Sequence, residues 1–187
     1  MNKIVIITLS ALLVMSALAS TSAAQTPFIA IYFDQDLETM AVRCPNQLPG
    51  SYDTWYVVAH NFNANIEAVE YKIDYPSFIL HMNDLLPAGA TSEGTSPWGV
   101  VISFSSPLNG YEPQLVQSSL IQWYCSRCGN LLQVPVRPLP HPTSGRLGAV
   151  RSSDGGFIDA IGWTSIICPH ISPNKNSTWG HIKILYD

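Results

Sequence analysis

Charged residues are scarce in this sequence. Only 12% of its 187 residues are Asp, Glu, Lys or Arg, about half the share usual in globular proteins. The 9 basic and 13 acidic residues give a net charge of -4, and no basic cluster stands out along the chain. Because nucleic-acid-binding proteins present a basic patch or stripe, the composition argues against nucleic acid as a partner.

Catalytic and cofactor motifs are also missing. The 5 histidines show no HExxH or other paired spacing, and the chain contains no GxSxG nucleophile motif. Asp34, Glu67, Glu70, Asp74 and Glu93 could supply the two carboxylates of a glycoside hydrolase, but solvated strand faces explain these residues better. We therefore predict a protein that is not an enzyme and carries no cofactor.

The N-terminus has the features of an export signal. Lys3 supplies the positive charge, residues 4–15 form a short apolar run, and residues 17–19 or 22–24 offer small-residue cleavage sites. We expect residues 1–24 to be removed, leaving a mature chain without a membrane span, since the apolar run is too short to cross a bilayer. The predicted location is secreted, periplasmic or on the cell surface.

No long helical period appears in residues 25–170, where 2-residue alternation and turns dominate. The alternation is clearest within residues 55–76. One face carries Val69, Tyr71, Ile73 and Tyr75, and the other carries Glu70, Lys72 and Asp74. About nine such strands, separated by turns rich in Gly and Pro, predict an antiparallel two-sheet sandwich of the jelly-roll or Ig-like type. The exposed row Glu70, Lys72 and Asp74 is the candidate partner surface.

Four cysteines lie in the mature chain, at Cys44, Cys125, Cys128 and Cys168. In an exported protein an even number of cysteines most simply means disulfides, and four cysteines allow three pairings. We favour Cys125–Cys128 together with Cys44–Cys168, the second of which would close a long loop and stabilise the fold by about 4 to 5 kcal/mol. A thioredoxin-like redox role is disfavoured, because the CxxC lies between strand-like runs and not at a helix N-terminus.

Two metal sites remain as weaker alternatives. Cys125 and Cys128 form a knuckle that could bind zinc with His141 and Cys168, since Cys and His are the usual ligands of structural zinc. Asp34, Asp36 and Glu38 have alternating spacing that could offer oxygen ligands to calcium. The acidic set lacks the glycine and the terminal bidentate ligand of an established calcium loop, so a charged turn is the simpler interpretation.

Tryptophan is abundant, with 5 residues. Exposed tryptophans that stack on sugar rings would make a glycan-binding face, and a carbohydrate-binding module or carbohydrate-active protein is the second functional hypothesis. Alternation, however, places Trp98 and Trp163 with core residues, and it leaves Trp55 and Trp123 undecided.

Residues 171–187 form a polar linker and a short tail. Thr178 could cap a helix on which Trp179, Ile182, Leu185 and Tyr186 share one face. The simpler expectation is that this segment packs on the sandwich. The alternative is a sorting or docking tail that the export machinery recognises.

The order of strand, turn, YVVAHNFNANIEAVEYKIDYPSFIL, loop and apolar strand resembles cohesin-like β-sandwich modules of bacterial extracellular proteins, over residues 28–168. The motifs CSRC, PHP, GFIDAIGWTSIIC and TWGHIKILY also resemble a group of uncharacterised exported bacterial proteins. The resemblance implies a cohesin-like sandwich that acts as a cell-surface or extracellular interaction module, with a protein or a glycan as partner. Cohesin modules do not need the four cysteines, and the chain has no duplicated calcium loop of the dockerin type.

Overall fold

A computed structural model describes residues 25–38, 42–43, 50–124 and 134–167 of the chain, with the backbone alone for residues 42–43. This part is all-β. Its strands are β1 (Phe28–Tyr32), β2 (Val42–Arg43), β3 (Tyr52–His60), β4 (Asn65–Ile73), β5 (Ile79–Leu85), β6 (Ala90–Thr95), β7 (Gly99–Asn109), β8 (Gln114–Trp123), β9 (Val134–Val136), β10 (Pro138–Leu139), β11 (Gly148–Arg151), β12 (Phe157–Asp159), β13 (Ile161–Gly162) and β14 (Ser165–Ile167). Within the described ranges, no helix is long and apolar enough to cross a bilayer.

The first sheet has five strands in the order β13-β1-β3-β8-β5. β3 lies near its centre, between β1 and β8, and pairs antiparallel with both. The run from Val57 to His60 is buried on both faces of this strand, as its nearly continuous apolar sequence predicts.

The second sheet follows the order β12-β11-β4-β7-β6, and β10 pairs with the end of β4. β4 confirms the alternation in its sequence, since Val69, Tyr71 and Ile73 are buried while Glu70 and Lys72 face outward. The buried rows of the two sheets pack against each other and form the main core, which includes Trp55, Ile102 and Ile121 together with these residues of β4. The fold is therefore the predicted two-layer sandwich.

A small third sheet, in the order β2-β14-β9, extends the structure. β14 pairs parallel with β2, with Ile166 opposite Val42 and Ile167 opposite Arg43. β9 contains Pro135 and lies at an edge of this sheet, as expected for a strand that proline interrupts.

Two features of the strands differ from the sequence-based expectation. The chain forms more than about nine strands, because several of the observed ones have only two or three residues. Residues 83–97 are rich in Gly, Pro, Ser and Thr, which favours a loop, yet they contain the end of β5 and all of β6. β6 has no buried residue, so no buried row marks it in the sequence. It is a strand because its backbone pairs with β7 along its whole length.

Candidate functional site

An open groove of about 470 Å³ lies where the end of β4, the start of β5 and the turn between β6 and β7 meet. We call it the Trp98 groove. Its wall includes Lys72, Asp74, Tyr75, Leu80, His81 and Trp98. It combines an exposed indole, an exposed aliphatic side chain and an ion pair in one concavity.

Trp98 is the most exposed large hydrophobic residue of the described chain, with 80% of its surface accessible. The prediction that it belongs to the core is wrong. Trp98 lies in the turn before β7, and Gly99 follows it with φ of +109°. The buried row of β7 therefore starts only at Val100 and continues at Ile102, and the side chain of Trp98, two residues before Val100, does not join it.

Hydrogen bonds hold the 96–98 turn in place. The backbone N–H of Trp98 donates to the carbonyl of Thr95 over 3.0 Å, and the N–H of Ile73 donates to the carbonyl of Ser96 over 2.7 Å. Ser96 is fully buried. Its backbone N–H donates to Asp84 Oδ2 at 2.7 Å, and its hydroxyl donates to Asp84 Oδ1 at 2.8 Å. The exposed indole thus lies on a rigid base.

Asp84 is the centre of a polar cluster behind the groove. Besides the two bonds from Ser96, its Oδ1 accepts from Gln117 Nε2 at 2.6 Å and from Ser119 Oγ at 3.1 Å, and His81 Nε2 lies 2.7 Å away. The side chain of Asp84 is only 9% exposed. Burial alone would raise the pKa of Asp84, but hydrogen bonds from His81 and Ser96 outweigh burial and lower it. The carboxylate therefore stays ionised at neutral pH.

Two tyrosines extend this cluster into the second sheet. Tyr71 donates to Gln117 Oε1 at 2.8 Å, and Tyr75 lies 2.9 Å from Ser96 Oγ. Because the Ser96 hydroxyl already donates to Asp84, Tyr75 is the donor in this pair. Burial raises the pKa of both tyrosines, so both phenols remain protonated. The polar cluster thereby joins the two sheets directly beneath the groove.

His81, Asp84 and Ser96 are the residue types of a hydrolytic triad, but their arrangement differs from one. The serine hydroxyl and the histidine ring both bond the carboxylate, whereas a nucleophile needs the histidine as its base. Tyr75 donates to the same hydroxyl. This geometry suits structural anchoring and gives no activated nucleophile at these residues.

The polar row expected on β4 is divided by the structure. Lys72 and Asp74 form an ion pair of 2.5 Å at the groove, with their side chains 27% and 59% exposed. Glu70, in contrast, is 15% exposed; Ser144 donates to it, and His141 lies 3.4 Å away. Two of the three candidates therefore line the groove, and the loop after β10 covers the third.

The candidate metal ligands are not brought together by the described residues. No three His, Cys, Asp or Glu side chains group as a metal site in the described ranges. Asp34 Oδ1 accepts the backbone N–H of Glu38 at 2.8 Å, as in a polar turn, and Asp34, Asp36 and Glu38 are not among any such group in the described ranges. His141 faces Glu70, while Cys125, Cys128 and Cys168 lie outside the described residues, as does Cys44. Zinc and the disulfides stay untested.

The remaining aromatic predictions have mixed outcomes. Trp163 is 42% exposed and contacts Phe28 on the outside of the first sheet, with ring centroids 5.3 Å apart, so its assignment to the core is wrong. Trp55 and Trp123, left undecided by the sequence, are buried. Outside the described residues lie the tail residues Trp179, Ile182, Leu185 and Tyr186.

Sequence reasoning missed Asp84, Ser96 and Gln117. They come from β5, the turn before β7, and β8, and no local spacing connects them. The one signal in the sequence that could have identified them is a polar residue at a strand position whose side chain faces the core. Gln117 meets it, since it is fully buried in β8, in the same row as the buried Ile121 and Trp123.

No protein-family model and no curated protein sequence matches the chain. Its structure, however, is similar to solved cohesin modules. The seventh ScaB type I cohesin from Pseudobacteroides cellulosolvens has a TM-score of 0.52 at 9% identity, covering 82% of this chain and 98% of that one. A type III cohesin module from the cellulosomal ScaE cell-surface anchoring scaffoldin of Ruminococcus flavefaciens has a TM-score of 0.51 at 11% identity, covering 79% and 89%.

A third similar structure is the sixth cohesin from scaffoldin B of Acetivibrio cellulolyticus, solved in complex with a Cel5 dockerin. Its TM-score is 0.50 at 10% identity, covering 77% of this chain and 99% of that one. At such identities the similarity concerns the fold alone. The chain has a cohesin-like β-sandwich fold, which confirms the architecture that the sequence resemblance implied.

Proposed function

We propose that this protein is an exported, non-enzymatic interaction module that binds a protein partner through the Trp98 groove. The observation that carries the proposal is the exposure of Trp98 on a turn that buried hydrogen bonds fix. Tryptophan is among the residues most enriched at energetic hot spots of protein interfaces. Burial of this indole, roughly 150 Å² at 25 cal/mol per Å², would contribute about 4 kcal/mol before the costs of association.

The surroundings of Trp98 suit a protein surface. Leu80, 43% exposed, adds aliphatic area on the same wall, and the Lys72–Asp74 ion pair supplies a charged rim. An apolar centre with a polar rim is the usual anatomy of a protein interface. The matching partner presents an apolar side chain flanked by groups that pair with one lysine and one aspartate.

The comparisons support a partner of this kind and an extracellular location. One of the similar cohesins is solved with a dockerin, and another belongs to a cell-surface anchoring scaffoldin. The apolar N-terminal segment of this chain agrees with export. A dockerin-like module outside the cell is accordingly the first partner class to test.

Site-specific photo-crosslinking tests the proposal. A photo-reactive residue replaces Leu80 on the groove, or Tyr111, 64% exposed in the turn between β7 and β8, as a control. The mature proteins are added to cells of the source organism and irradiated. We expect a discrete protein adduct from position 80 that Trp98→Ala abolishes, and no such adduct from position 111. Identical adducts from both positions would contradict the proposal.

Saccharide binding is the second candidate, and the exposure of Trp98 favours it specifically. A free indole face beside an ion pair can stack on a sugar ring while Lys72 and Asp74 bond its hydroxyls. A glycan array with the mature chain, Trp98→Ala and Trp163→Ala separates the candidates. We expect no saccharide signal. A signal lost in Trp98→Ala and kept in Trp163→Ala would replace the protein partner with a glycan.

A further inference from the structure

We infer that Asp84 is a positioning residue that holds the 96–98 turn, and with it Trp98, in a binding-ready conformation. The role of Asp84 in binding rests on the proposed function of the Trp98 groove. The hydrogen bonds between Asp84 and the turn are independent of that proposal.

Asp84 grips the turn through both carboxylate oxygens. Oδ2 accepts the backbone N–H of Ser96, and Oδ1 accepts the hydroxyl of the same residue. A backbone bond and a side-chain bond from one residue to one carboxylate fix the orientation of that residue as well as its distance. Trp98 is two residues further along, and its backbone N–H is bonded back to Thr95, so the orientation of Ser96 constrains the backbone that carries the indole.

The other bonds of Asp84 tie the turn to the opposite sheet. Asp84 belongs to β5, and it accepts from Gln117 and Ser119 of β8, the neighbouring strand in the five-stranded sheet. The turn joins β6 to β7, which belong to the other sheet. Asp84 thus links a surface turn of one sheet to strands β5 and β8 of the other sheet.

A rigid platform is what a binding indole needs. Ordering a loop and a large side chain during binding weakens affinity, and preorganisation avoids that cost. An exposed turn without an anchor would let Trp98 sample many orientations, since loops with few buried contacts are mobile. Asp84 accepts five hydrogen bonds, and the turn it holds carries a tryptophan that is 80% exposed. This arrangement fits a preorganised binding surface.

The test compares Asp84→Asn with Ser119→Ala in the mature, ligand-free protein. Ser119 donates to the same carboxylate from β8 and not from the turn, so its loss serves as the matched control. Two local quantities are followed by NMR: hydrogen exchange of the Ser96 amide, and the heteronuclear NOE of the Trp98 indole N–H. The amide of Val57, in the buried strand β3, reports global opening.

For Asp84→Asn we expect exchange at Ser96 to accelerate at least tenfold more than at Val57, together with a lower NOE for the Trp98 indole. For Ser119→Ala we expect Ser96 and Val57 to change equally and the NOE to stay unchanged. Equal acceleration at both amides in Asp84→Asn, with an unchanged indole, would show a merely structural role and overturn the inference.

A second variant covers the case in which Asp84→Asn does not fold. Ser96→Ala keeps the backbone bond to Asp84 Oδ2 and removes the hydroxyl bond to Oδ1. We expect it to fold and to lower the indole NOE by a smaller amount; an unchanged NOE would overturn the inference. Neither measurement uses a partner. Failure here is therefore distinct from failure of the crosslinking experiment, which tests the groove itself.

Discussion

At the scale of single residues, Asp84 and Trp98 show how one position supports another. Asp84 is nearly buried and ionised because donors from two sheets surround it, and the turn that carries the exposed Trp98 is bonded to that carboxylate. The cluster also includes His81, Tyr71 and Tyr75 as its titratable neighbours. The charge on Asp84 is therefore the feature whose removal has the clearest consequence.

Stability should depend on pH through Asp84. Its pKa is lowered in the folded protein, so its contribution is fully present above the unfolded value of about 3.9 and is lost as pH falls through the folded pKa. We expect Asp84→Asn to cost about 2 to 3 kcal/mol at pH 7. Urea unfolding of both proteins at pH 7 and pH 3 checks this. The difference should shrink at pH 3, and a difference that grows instead would contradict the account.

Gly99 offers a second residue-scale prediction. A side chain there would need φ of +109° and would place Cβ 2.6 Å from His141 and Pro142 of the covering loop. Gly145 has φ of +70° with nothing within 4 Å, so it isolates the backbone effect. We expect Gly99→Ala to lower the free energy of unfolding by about 3 kcal/mol and Gly145→Ala by about 1 kcal/mol. Equal losses would show that the loop does not pack on Gly99.

At the scale of elements, the sequence predicts best where burial is one-sided and the strand is long. β4 and the start of β7 alternate clearly because one face packs in the core. β6 is missed because all of its side chains face solvent or lie at the surface. Trp98 is misassigned for a related reason. The alternation in the sequence extends back from β7 to Trp98, but β7 begins at Gly99, whose positive φ ends the regular strand backbone before Trp98.

The pairing of β2 with β14 sharpens the disulfide prediction. Val42 and Arg43 pair with Ile166 and Ile167 in parallel register. Arg43 directly precedes Cys44, and Ile167, its partner, directly precedes Cys168. We therefore propose the Cys44–Cys168 bond. Peptide mapping by mass spectrometry without reductant should recover this linked pair, and Cys44→Ser should lower the free energy of unfolding by about 4 kcal/mol. Four free thiols, a zinc adduct or another partner for Cys44 would refute the prediction.

At the scale of the whole molecule, the chain is a two-sheet sandwich whose sheets are joined by an apolar core and, beneath the Trp98 groove, by a polar cluster. The fold class could be predicted from the sequence, since alternation and turns specify a sandwich. The groove could not, because the 96–98 turn follows β5 and β6 in the chain and meets the end of β4 only in the folded structure. Two of its residues, Lys72 and Asp74, were nevertheless predicted as part of the exposed polar row Glu70, Lys72 and Asp74.

The C-terminal segment, which lies outside the described residues, is a whole-molecule question. We expect the apolar face formed by Trp179, Ile182 and Leu185 to pack on the sandwich, as ordered termini commonly do. Deleting residues 178–187 should then lower the melting temperature and leave the cellular location of the protein unchanged. An unchanged melting temperature with an altered location would instead identify a sorting tail.

The central claim is that Trp98 anchors a partner. Calorimetric titration of purified variants with the free partner protein, once crosslinking has identified it, tests this claim most directly. Trp98→Ala should raise the dissociation constant at least 30-fold, as removal of a hot spot worth about 2 kcal/mol requires. Trp163→Ala, on the outside of the other sheet, should change it less than twofold. Equal affinity of Trp98→Ala and the unmodified protein would contradict the account.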